Sequence, residues 1–132
     1  MKLSEENRKA LITLYSEKAD ETMTEVQVAI DAEKWSMAAN RLYYALLHIL
    51  TALFIKDGHP TATHLGAKMT LGLHYVKTGI ITQEQGRLFS RLETLREKAD
   101  YDCFFKADRE DINTFHPQAI KLFDRIKELI QQ

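Results

Sequence analysis

Glycine and proline are scarce in this chain: 132 residues hold five glycines and two prolines. So little turn material excludes a fold of many short strands and tight turns. The many Leu, Ala, Glu, Lys and Gln residues instead favour helices joined by short loops. Cysteine occurs once, as Cys103, which excludes an intramolecular disulfide and a cysteine-based zinc cluster and fits a reducing cytoplasm. A buried, inert thiol is the default reading of that residue. Charge of one sign is not in excess either. Eighteen basic and 19 acidic side chains leave a formal net charge of −1, so no global field draws in nucleic acid and RNA contact would need a local basic patch. The greasiest stretch, residues 42–55, has only His48 and Thr51 as polar members. It is short for a bilayer span and reads as a buried core helix. Met1-Lys2-Leu3-Ser4-Glu5-Glu6-Asn7 is polar, without the apolar core of a signal peptide. There is no glycine-rich phosphate loop, serine nucleophile elbow or His/Asp/Glu metal spacing. The expectation is a cytoplasmic protein of one domain, residues 1–132, with no membrane segment, metal or cofactor.

What is present is helical periodicity. Ser4 followed by Glu5 and Glu6 offers an N-cap and acidic first-turn residues, and Leu11, Tyr15, Ala19, Thr22, Val26 and Ala29 recur at helical spacing to about Ala32. A second helix, apolar nearly all round, runs from Trp35 or Ser36 to about Asp57 and ends at Gly58-His59-Pro60. Thr63 caps a third helix, from His64 to about Val76. Thr82 with Gln85 forms a capping box for a fourth, which carries Leu88, Leu92, Leu95 and Ala99 on one stripe. After a break at about residues 101–108, Ile112, Phe115, Ala119, Leu122, Ile126 and Leu129 mark a last helix, with a kink at Pro117 or a start just before it. The sum is an all-α antiparallel bundle of four to five helices.

Two polar clusters interrupt this pattern. Arg41, Ala45 and His48 stand at i, i+4 and i+7 in the second helix, so guanidinium and imidazole share one face. A charge opening an apolar helix needs a partner. Arg96 and Asp100, at i and i+4 near the end of the fourth helix, either bridge directly or send Asp100 to Arg41. On the structural reading these are ion pairs that fix helix register, with tyrosines filling the interface. On the functional reading Arg41, Arg96 and His48 line a phosphate site, a task suited to the arginine fork, with Asp100 and Tyr101 beside them. His64, at a helix start, is either a general base or a first-turn residue.

The run Ala38-Ala39-Asn40-Arg41-Leu42-Tyr43-Tyr44-Ala45-Leu46-Leu47-His48, then Thr63-His64, then Arg96-Glu97-Lys98-Ala99-Asp100-Tyr101, resembles the HEPN family, over residues 10–130. The resemblance implies a helical bundle that forms a homodimer, pairs with a minimal nucleotidyltransferase in a toxin–antitoxin arrangement, and binds nucleotide or RNA. Many members are metal-independent ribonucleases whose active site is an arginine followed after four to six residues by a histidine. Here Tyr101, Asp102 and Cys103 occupy those positions after Arg96. The spacing recurs at Arg41 to His48 and at Arg109 to His116. Family tyrosines near the motif can be nucleotidylated by the partner, which makes Tyr101 a candidate target. Three readings follow: a HEPN module working with a nucleotidyltransferase, a ribonuclease toxin with an atypical site drawn from Arg41, His48, His64 and Arg96, and a structural helical adaptor. Trp35, Tyr43, Tyr44, Phe104 and Phe105 are candidates for the dimer interface or for the core.

Overall fold

The computed structural model describes residues 3–132, which form five α-helices and no strand. Helix α1 spans Glu5–Asp31 and begins where the Ser4 hydroxyl accepts from the Asn7 N–H. Only Ala32, Glu33 and Lys34 separate it from α2, Trp35–Asp57. Glu33 takes a positive φ of 55°, which lets so short a turn reverse the chain. Helix α2 ends at Gly58, left-handed at φ 82°, as glycine caps do. Helix α3, His64–Thr70, is capped by Thr63. Helix α4, Gln83–Tyr101, starts in the expected Thr82–Gln85 capping box. Helix α5, Arg109–Gln131, starts in a second box made by Asp108 and Asp111.

Helix α2 is the axis of the bundle and packs on α1, α3, α4 and α5. Twelve of its residues are buried, which explains an apolar surface with no solvent face. By length and composition it could cross a membrane, but 67% of its most apolar window is covered by the other helices. Phe54, Phe89, Leu92, Ile112 and Ile126 from three helices close one hydrophobic core. Long polar side chains seal the helix ends: Arg8 donates to the Lys56 carbonyl at 2.7 Å, and Lys56 to the Leu129 carbonyl at 3.0 Å. At the opposite end Arg109 of α5 pairs with Glu33 and lies 4.8 Å above the ring of half-buried Trp35.

The structure departs from the sequence expectations in three places. The third helix keeps α geometry only to Thr70 and continues as a π-helical turn, Leu71–Val76. This widened turn faces Gly86 of α4, where an added Cβ would lie 2.8 Å from Val76 Cγ2. The last helix does not start just before Pro117 but at Arg109, with the proline inside it. The Asp108–Asp111 box nucleates the helix two turns upstream, so proline costs one interior hydrogen bond there. Cys103, expected to be buried, is exposed in the link between α4 and α5.

Candidate functional site

Two tyrosines in the middle of α2 organise the polar groups. Tyr43 is fully buried and Tyr44 half-buried. Arg96 of α4, 3% exposed, lays its guanidinium 5.0 Å from the Tyr43 ring centre and 5.6 Å from that of Tyr44. Arg41 lies 5.6 Å from the Tyr44 ring. On the same two rings stand the histidines. His64 is 5.5 Å from Tyr43 and 5.9 Å from Tyr44, and His48 is 6.1 Å from Tyr44. The face-sharing Arg41 and His48 of α2, Arg96 of α4 and His64 of α3 thus converge on one aromatic pair. Cation–ring contacts contribute about 0.5–2 kcal/mol, most where the cation is desolvated as Arg96 is, and several rings on one cation do not simply add.

The arginines are held by a short relay. Nε and Nη2 of Arg41 both donate to Oδ1 of Asn40, at 3.0 and 2.7 Å, and Nη1 donates to Glu25 at 3.2 Å. That fixes the Asn40 amide so that its Nδ2 donates to Asp100 Oδ2 at 3.0 Å. The same carboxylate oxygen lies 3.6 Å from Arg96 Nη1, and Glu97 lies 3.8 Å from Nη2. Arg96 and Asp100 therefore bridge directly. The alternative link from Asp100 to Arg41 does not form, because Asn40 stands between them. Burial opposes the Arg96 charge, but Tyr44, Tyr43, Asp100 and Glu97 outweigh it and hold its pKa above the ordinary arginine value. Its Nε is buried without a hydrogen-bond partner, as is Oε2 of Glu93 one turn earlier. Tyr101 closes α4 with 79% of its surface exposed and its ring 5.9 Å from the Arg96 guanidinium.

The histidines differ in setting. The Tyr43 hydroxyl and His64 Nδ1 are 3.0 Å apart. Burial lifts the Tyr43 pKa, with Glu93 adding to it, so the hydroxyl keeps its proton and can either donate to Nδ1 or accept from it, according to the His64 tautomer. His48 is pushed down to about 4, first by burial and then by the charges of Lys18 and Arg41, so its imidazole is neutral at pH 7. His116 lies on α5 beyond this assembly, and burial lowers its pKa too. His59 and His74 stack on each other at 3.9 Å between ring centres, away from the tyrosine pair. Among the described residues no group of three or more His, Cys, Asp or Glu side chains could hold a metal ion.

Sequence reasoning missed Asn40 as the connector and Lys18 as a charge acting on His48. Asn40 sits inside the motif, and its neighbour Arg41 was the available signal. Lys18 is thirty residues from His48 on another helix, and no local pattern joins them.

A sequence model of the HEPN domain matches residues 12–129. A UPF0332 protein of Thermotoga maritima is 26% identical over 124 residues, covering 94% of each chain. A protein of Methanocaldococcus jannaschii named "Putative toxin" is 28% identical over 114 residues, covering 86% of this chain and 84% of its own length. The all-α bundle and the match over nearly the whole chain agree, and the chain belongs to the HEPN domain family.

Proposed function

We propose that this protein is the HEPN half of a toxin–antitoxin-like pair, a cytoplasmic homodimer that works with a nucleotidyltransferase and binds nucleotide or RNA beside the Arg41–Asn40–Asp100–Arg96 relay. The observation that carries the reading is the presentation of Tyr101. Its hydroxyl stands in solvent on the last turn of α4, and Arg96 and the Asn40–Asp100 hydrogen bond hold that turn against α2. A protruding phenol beside a fixed cation is a fitting acceptor for a nucleotidyl group, since the guanidinium attracts the incoming phosphates. The relative named as a toxin supports the class of activity.

The test is intact-mass and peptide mass spectrometry after incubation with ATP and a minimal nucleotidyltransferase from the same genome. An adenylyl adduct on Tyr101, absent from Tyr101→Phe, is expected. An unmodified wild-type chain would sink the reading. The ribonuclease alternative draws on the meeting of Arg96 and His64 at the Tyr43 ring. Cleavage of single-stranded RNA in excess EDTA, lost in Arg96→Ala, would favour that alternative.

A further inference from the structure

A cleft of about 290 Å³ opens between α1, α2 and residues 61–64. Tyr15 and Lys18 line it from α1, His48 from α2, and Thr61 and His64 from the far wall, with Leu47 as an apolar patch. The Thr51 hydroxyl donates to the Leu47 carbonyl and the Thr63 hydroxyl accepts from the Gly66 N–H, but other polar groups of the cleft are uncommitted. Among the described residues the Lys18 ammonium, both His48 nitrogens and the hydroxyls of Tyr15 and Thr61 have no hydrogen-bond or ion-pair partner within the protein. His64 spends Nδ1 on Tyr43 and keeps Nε2 free. No carboxylate lines the cleft. Glu17 and Glu21 of α1 line a neighbouring hollow, which shares Tyr15 and Lys18 with the cleft.

The sign of the local field is set by the groups around His48: Lys18 and Tyr15 from α1, Arg41 and Tyr44 along α2, and His64 across the cleft. Two are cations; Arg41 is paired with Glu25 at 3.2 Å, which leaves Lys18 as the cation without an ion-pair partner. The Lys18 ammonium stands on the cleft wall without a carboxylate partner, and its charge attracts an anion into that space. Several convergent donors suit a tetrahedral oxyanion, with its several acceptors, better than a carboxylate with two oxygens. The volume exceeds that of a bare phosphate, and the Tyr15 ring, 6.4 Å from His48, offers a flat surface to what the phosphate carries.

We propose that this cleft is a binding site for the phosphate group of a small phosphomonoester, with Lys18 supplying charge and His48, His64 and Thr61 supplying hydrogen bonds. The site is separate from the Tyr101 end of α4 and does not depend on the dimer or on the nucleotidyltransferase partner. Bound phosphate opposes the charges of Lys18 and Arg41 and therefore raises the His48 pKa from its low value.

The experiment is an NMR titration of the histidine ring resonances of the full chain, first with inorganic phosphate and then with AMP. Saturable shifts of His48 and His64 are expected, with the His48 pKa rising by about one unit, a tenfold change in proton affinity. Lys18→Gln, on an exposed position, should weaken both ligands by about tenfold with an unchanged melting temperature. AMP should bind at least as tightly as phosphate. Unmoved His48 and His64 resonances, equal binding by Lys18→Gln, or phosphate binding with AMP excluded would each overturn the proposal. Neither result bears on whether Tyr101 is nucleotidylated.

Discussion

Arg96 shows how a charged residue is kept inside a bundle. Its guanidinium is sandwiched by the rings of Tyr43, Tyr44 and Tyr101, while its carboxylate partners stand at 3.6 and 3.8 Å, too far for good hydrogen bonds. Its hold is therefore more packing than pairing, because long side chains cover apolar surface with their stems. Arg96→Met keeps the stem and should cost about 1–2 kcal/mol through the lost cation–ring contacts. Arg96→Ala also opens a cavity against Tyr43 and should cost about 3 kcal/mol or more. Urea midpoints should fall in the order wild type, Met, Ala. Equal losses would show that the charge, not the side-chain volume, holds the site. The pairing of Arg96 with Asp100 was legible in the sequence because i and i+4 residues share a helix face. The interposition of Asn40 was not, since either neighbour on α2 could have turned toward α4.

At the scale of elements, the starts of the helices were the most legible feature. Ser4, Thr63 and Thr82 each accept the N–H bond that their identity announces. Capping is local chemistry, so a few residues suffice to specify it. The π-helical turn, Leu71–Val76, was illegible for the opposite reason: an extra residue per turn is imposed by the neighbour that it must fit. That neighbour is Gly86, whose missing side chain admits Val76. Gly86→Ala should gain about 0.5–1 kcal/mol of helix propensity but lose about 1–3 kcal/mol to overpacking against a stiff β-branched residue. The net expectation is a lower melting temperature, restored in part by Val76→Ala in the double variant. Additive losses in that double-mutant cycle would mean that the two residues do not press on each other.

For the whole molecule, the bundle architecture followed from the distribution of apolar residues, since a helix without a polar face needs neighbours on every side. The surface was harder to foresee. Leu65, Met69 and Leu73, which are 65%, 64% and 56% exposed, run along α3 and its π turn as an apolar stripe. Nothing in their spacing separates this stripe from a core face, because burial depends on which helices arrive to cover it. If the protein works as a homodimer, light scattering at micromolar concentration should give twice the 15.3 kDa of one chain. Where this stripe is the seam, Met69→Glu should halve that mass. A wild-type chain that stays monomeric would rule out the homodimer.

The lone tryptophan has a use of its own. Trp35 begins α2 and lies beneath Arg109, the first residue of α5, which is tied in turn to Glu33 in the α1–α2 turn. Its indole therefore sits where three helices meet, and its emission is a built-in optical gauge of that corner. A signal that changes before global unfolding would register α5 peeling away from the α1–α2 hairpin, and one that changes together with helicity would register a bundle that opens as a unit.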